Sequence, residues 1–134
     1  MKQQELHILI AEDDIDDGEI IEASFARHPS FSSVDIVKNG KELLNFLKNS
    51  SKIPDIILTD INMPILNGIE ALTEIQDDSN LKKIPAFVYS TAINPTYEAK
   101  CKELGTKGFL IKPFLLEEFY EIPNRILYIL GLKD

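Results

Sequence analysis

The chain has 134 residues, 44% of them hydrophobic, a single cysteine and a formal net charge of −8 at pH 7. That length supports one ordinary core, the acidic balance disfavours direct contact with nucleic acid or an anionic membrane surface, and Cys101 alone excludes an intramolecular disulfide. The expected setting is reducing and cytoplasmic, because residues 1–5 lead into an apolar run too short and too quickly acidic for a signal peptide or a membrane span.

Leu6-His7-Ile8-Leu9-Ile10-Ala11 is a nearly continuous apolar run, the pattern of a strand buried on both faces, and it stops at Glu12-Asp13-Asp14. From Asp14 the pattern turns helical, with Asp14, Asp16 and Asp17 suited to the N-terminus and Ile21 and Phe25 one turn apart; His28-Pro29-Ser30 closes it. Val34-Asp35-Ile36-Val37 predicts a second strand, Asn39-Gly40 a turn, and Leu43, Leu44 and Leu47 a second helix. Asp55-Ile56-Ile57-Leu58-Thr59-Asp60 reads as a third strand, Met63-Pro64 and Asn67-Gly68 as loop punctuation, and Leu72 and Ile75 as helix. Ala86-Phe87-Val88-Tyr89-Ser90 is the fourth strand, Asn94-Pro95 an N-cap with proline at the first helical position, and Gly105 a helix terminator. Gly108-Phe109-Leu110-Ile111 is the fifth strand, and a last helical pattern runs from Leu116 to Leu130. Pro123 lies inside that pattern; an interior proline costs ~3 kcal/mol or more, so a kink or break is expected near Ile122.

Alternation of short buried strands with amphipathic helices argues for an α/β fold, a doubly wound parallel sheet with right-handed crossovers. Ligands in such sheets sit at the carboxyl ends of the strands, where Glu12-Asp13-Asp14, Asp60, Ser90 and Lys112-Pro113 should meet. Taken singly these are ordinary features: a solvated helix entrance, a strand-end cap, a surface lysine. Together they gather mutually repelling carboxylates beside one ammonium, and the natural remedy is a cation with oxygen ligands, Mg²⁺. The chain thus reads as a phosphate-handling site around an aspartate.

In order along the chain, Ile8-Leu9-Ile10-Ala11-Glu12-Asp13-Asp14, Leu58-Thr59-Asp60-Ile61-Asn62-Met63-Pro64 with Asn67-Gly68, Tyr89-Ser90, and Gly108-Phe109-Leu110-Ile111-Lys112-Pro113-Phe114 resemble the receiver domain of bacterial two-component response regulators. The resemblance implies a flavodoxin-like (βα)5 fold with strand order 2-1-3-4-5, a single receiver domain over residues 1–134 and no output domain. It implies Asp60 as phosphoacceptor, supplied by a histidine kinase or histidine phosphotransfer protein. Asp13, Asp60 and the Asn62 backbone carbonyl would ligate Mg²⁺, with Glu12 acting through metal-bound water. Ser90 would be the switch hydroxyl, Lys112 the phosphate contact, Phe109 the switch aromatic, and Lys112-Pro113 a cis bond. Asn62 and Ala92 are expected to tune phosphoryl lifetime.

The chain departs from that pattern in three places. Phe109 stands where many receivers carry tyrosine, so a hydroxyl-mediated contact is lost; Thr91 follows Ser90 where a small apolar residue is commoner, and Ser90 is favoured as the hydroxyl; Pro123 interrupts the last helix. The resemblance also implies that the fourth helix, fifth strand and last helix form the face that meets an unknown downstream protein or supports a homodimer. Tyr97, Phe109, Phe119 and the stripe Ile122, Ile126 and Ile129 are expected to be core first and interface second. His7 is expected to be a strand residue, with the phosphodonor histidine on another protein. Two other classes stay open: a phosphorylation-independent binding module, and a small haloacid-dehalogenase-like phosphohydrolase, whose usual second aspartate is Asn62 here.

Overall fold

The computed structural model describes residues 5–91 and 94–132; Ala92 lies outside them. Five strands, β1 (Leu6–Ala11), β2 (Phe31–Val37), β3 (Ile56–Asp60), β4 (Ala86–Ser90) and β5 (Gly108–Ile111), form one sheet in the order β2-β1-β3-β4-β5. Every pairing is parallel. The helices are α1 (Ile15–Ala26), α2 (Gly40–Asn49), α3 (Gly68–Gln76), α4 (Pro95–Glu103), α5 (Leu116–Tyr120) and α6 (Ile122–Ile129). The expected flavodoxin-like order is therefore the observed one. Among the described residues no helix is long and apolar enough to cross a membrane.

Side chains alternate across a strand, so each strand feeds two cores. Ile8, Ile10, Leu58, Phe87, Tyr89 and Leu110 pack with Ile21 and Phe25 of α1 and with Phe119, Ile122 and Ile126. Leu9, Ala11, Ile57 and Val88 pack on the opposite face with Leu43, Leu47, Leu72 and Ile75. Burial on both faces explains why β1, β3 and β4 read as continuous apolar runs rather than alternating ones.

Pro123 splits the last helix as expected. Helix α5 ends at Tyr120, Glu121 stands between the segments, and Pro123 sits in the first turn of α6, where its missing N–H leaves no helical bond unmade. The stripe divides too: Phe119, Ile122 and Ile126 are buried, whereas Tyr97 and Ile129 are exposed, so the expectation of a core role is corrected for those two. Tyr97 stands one turn before Cys101, the sole buried residue of α4, in a first turn that is exposed from Asn94 to Tyr97.

Asn39-Gly40 is a helix start rather than the turn that the sequence suggests, and Asn67-Gly68 closes its loop as a second helix start. The Asn39 side chain accepts from the Glu42 N–H (2.9 Å), and Asn67 forms a reciprocal capping box with Glu70. Glycine follows each cap because backbone crowds there. A Cβ at Gly40 would stand 2.4 Å from the Leu66 carbonyl oxygen, and one at Gly68 would stand 2.2 Å from that of Asp60. These contacts brace the loop that leaves Asp60. Gly68→Ala should destabilise the fold by about 2 kcal/mol, the overpacking cost exceeding the ~1 kcal/mol gain in helix propensity. Urea unfolding measures this, and an unchanged midpoint would contradict the packing.

Candidate functional site

Residues Glu12, Asp60 and Lys112 continue the side-chain parity of Ile10, Leu58 and Leu110, so they emerge at the sheet rim on the face covered by α1. Lys112 is the hub. Its buried Nζ lies 2.8 Å from Glu12 Oε1, 3.0 Å from Asp60 Oδ2 and 3.2 Å from Asp17 Oδ2. Burial alone would lower the Lys112 pKa, but the Glu12 hydrogen bond and the Asp60 charge outweigh it and raise it, so the ammonium stays charged.

Asp60 is 7% exposed, and burial pushes its carboxyl up to about 6; Lys112 opposes that rise and Glu12 adds to it. Its Oδ1 accepts the Ile61 N–H at 2.7 Å. Glu12 is fully enclosed: Oε1 accepts the Tyr89 hydroxyl at 2.5 Å besides Lys112, and Oε2 accepts the Asp14 N–H at 3.1 Å. Burial first, then the Glu12 charge, raises the Tyr89 pKa far out of the working range, which keeps it a donor. Asp14 itself caps α1, accepting from the Asp17 N–H at 2.8 Å.

Carboxylate oxygens of Glu12, Asp13 and Asp60 lie within 4.8 Å of one another, with Asp13 exposed at the rim. Two direct ligands on opposite sides of one Mg²⁺ stand about 4.2 Å apart, so an all-oxygen set at this spacing could hold such an ion. Asn62 is exposed in the loop after β3, and Ser90 ends β4 as a buried residue, whereas Thr91 is exposed beyond it. Phe109 is half-buried against the core under α2 and α3. Among the described residues there is no cis peptide bond, so Lys112-Pro113 is trans, contrary to the implied cis form; the lysine reaches its three carboxylates from the trans backbone.

The structure brings Glu12, Asp13, Asp60 and Lys112 together as the sequence suggests and adds Asp17 and Tyr89, which sequence reasoning missed. Both had a signal. Asp17 falls one helical turn after Asp13 and Asp14, and Tyr89 shares the parity of Phe87 and pairs in register with Asp60. His7 is a buried strand residue at the far end of β1, its Nε2 2.7 Å from Asp35 Oδ2. The phosphodonor histidine is therefore not expected from His7.

The match to the response regulator receiver domain family spans residues 8–123. Two-component response regulator ORR11 of Oryza sativa is 33% identical over 121 residues, 90% of this chain and 80% of that protein. Two-component response regulator ARR17 of Arabidopsis thaliana is 29% identical over 136 residues, 93% and 87% of the two chains. Among solved structures, the phosphorylated cyanobacterial phytochrome response regulator RcpA superposes with a TM-score of 0.87 at 29% identity, covering 97% of each chain. The Mn²⁺-bound form of response regulator Rcp1 gives 0.81 at 26% identity, covering 91% of each. A sheet order, a site and relatives that agree over nearly the whole chain lead to one conclusion: the chain belongs to the response regulator receiver domain family of two-component signalling proteins.

Proposed function

We propose that Asp60 is the phosphoacceptor of an Mg²⁺-dependent receiver in a reduced, cytoplasmic setting, phosphorylated by a histidine kinase or histidine phosphotransfer protein. The observation that carries this reading is the buried Asp60 carboxylate held 3.0 Å from the Lys112 ammonium, beside the Glu12 and Asp13 carboxylates. An Asp60 oxygen attacks the phosphorus of a phosphohistidine, the P–N bond breaks, and the leaving imidazole takes up a proton, leaving an acyl phosphate. Asp13, Asp60 and the Asn62 carbonyl would hold Mg²⁺, with Glu12 reached through water; the ion supplies charge neutralisation at the phosphoryl oxygens.

Lys112 stabilises the transferred group with a point charge already in place, and the Ser90 hydroxyl donates to it from the end of β4. Phosphorylation would draw Ser90 toward the phosphoryl oxygens, with Phe109 moving beside it, and so bias a pre-existing equilibrium of the face formed by α4, β5 and the α5–α6 segment. Exposed Tyr97, Ile111, Tyr128 and Ile129 on that face support it as the contact for an unknown downstream protein or a homodimer. Receiver domains are signalling domains rather than classical enzymes, and the chemistry proposed for this chain is limited to self-phosphotransfer and autodephosphorylation.

Acetyl phosphate with Mg²⁺ should add one phosphoryl mass to the wild type and none to Asp60→Ala. A wild type inert to both acetyl phosphate and a phosphohistidine donor would sink the assignment. Because Asp60 must lose its proton to ligate a cation, Mg²⁺ affinity should be flat above about 7 and fall roughly tenfold per pH unit below about 6. Calorimetric titration across that window checks it, and a pH-independent affinity would contradict the role of Asp60. Tyr97→Ala should change stability by no more than about 0.5 kcal/mol, as expected for a surface side chain. A loss near 3 kcal/mol in urea unfolding would return Tyr97 to the core.

A further inference from the structure

Tyr89 makes a contact that phosphate acceptance by Asp60 does not require. It is wholly buried, packed in the layer of Phe87, Phe119 and Ile122, yet it ends in a hydroxyl. A phenol in an apolar layer needs a partner, and this one donates to Glu12 Oε1, the same oxygen that accepts Lys112. The Lys112 Nζ also stands 4.8 Å from the centroid of the Tyr89 ring, within the range of a cation–π contact. One aromatic side chain thus touches both the anion and the cation at the centre of the site.

Glu12 is consequently held at both oxygens: Oε1 by the phenol and the ammonium, Oε2 by the Asp14 N–H. A carboxylate so enclosed cannot swing, and its place beside Asp13 gives that rigidity a use. Mg²⁺ demands near-ideal octahedral geometry, and groups that orient the surroundings of its ligands typically change affinity by about 10–100-fold. Register supports the connection. Tyr89 is the Cα partner of Asp60 on the adjacent strand, so its ring leaves the sheet on the face that carries the carboxylates.

We propose that Tyr89 is a positioning residue for the cation site, whose phenol fixes the Glu12 carboxylate between Lys112 and the Asp14 N–H and thereby sets how strongly Glu12 supports a divalent cation at Asp13 and Asp60. The inference rests on the Mg²⁺-dependent phosphoacceptor reading given above. Without the phenol, Glu12 Oε1 retains Lys112 alone, and the carboxylate regains freedom that cation binding must remove.

The test is a double-mutant cycle read as the Mg²⁺ dissociation constant by calorimetry at neutral pH, in wild type, Tyr89→Phe, Glu12→Gln and the double variant. Tyr89→Phe keeps the ring and its packing. It should weaken Mg²⁺ binding about tenfold in the wild-type background and less than about twofold when added to Glu12→Gln. An unchanged constant in Tyr89→Phe, or the same loss in both backgrounds, overturns the proposal. Should Tyr89→Phe fail to fold, the tyrosine ultraviolet difference spectrum on adding Mg²⁺ decides: a signal in wild type that Glu12→Gln lacks is expected, and identical spectra overturn it. No Mg²⁺ binding by the wild type would remove the phosphoacceptor reading and the proposal together, whereas normal wild-type binding with an unaltered Tyr89→Phe removes only the proposal.

Discussion

Everything at the rim depends on one ammonium shared by three carboxylates. Lys112 has three N–H donors and spends them on Glu12, just past β1, Asp60 at the end of β3, and Asp17 in α1. Glu12 is fully enclosed and Asp60 nearly so, and a buried charge stripped of its partner costs about 3–5 kcal/mol. The lysine therefore makes the cluster tolerable, but it does not neutralise it. With Asp13 added, four carboxylates face one cation, and the excess negative charge falls where Glu12, Asp13 and Asp60 could hold a metal ion. The same imbalance that weakens the resting site makes it receptive.

The sheet is what assembles this arrangement. Residues 100 positions apart in sequence meet because β1, β3 and β5 end at one rim with matching parity. Tyr89 arrives from β4, and α1 begins close enough to Glu12 for Asp17 to join. Burial of the strands on both faces makes the register costly to slip, since a shift of one residue would turn Asp60 into the other core. Rigidity of the apolar layers is thus the source of the precision of the polar ones.

Much of this was legible in the chain. β4 and β5 have the limits their apolar runs suggest, Asn94-Pro95 caps α4 as read, and Gly105 ends it with a left-handed φ of 77°. Pro123 broke the last helix because its ring and missing N–H act locally, whatever the tertiary context. Where neighbours decide the outcome, the reading failed. Asn39-Gly40 carries the same local chemistry whether it forms a turn or a cap, and only the helix behind it settles which. β2 begins at Phe31 rather than Val34: its two serines resemble a loop, yet Phe31 pairs with Leu6 and Ser33 with His7 of β1, Ser32 falling at the irregularity between them. The strand order came from family resemblance, as periodicity carries no information on which strands adjoin. The contacts of Asp17 and Tyr89 were less legible because their hydrogen-bond partners, Lys112 and Glu12, lie far away in sequence.

The backbone packing of Gly40 has a bearing on how variants of this chain are interpreted. Its N–H donates to the Leu66 carbonyl at 2.8 Å, and the space where a side chain would begin is filled by that same carbonyl. Leu66 lies in the segment that runs from Asp60 past Asn62 to α3, so a methyl group at position 40 would displace the loop that follows Asp60 from outside it. A genotype scored by its acidic residues, hydroxyl and lysine would count such an allele as intact. Its phenotype would nevertheless be that of a damaged signalling site, with every titratable group in it unchanged.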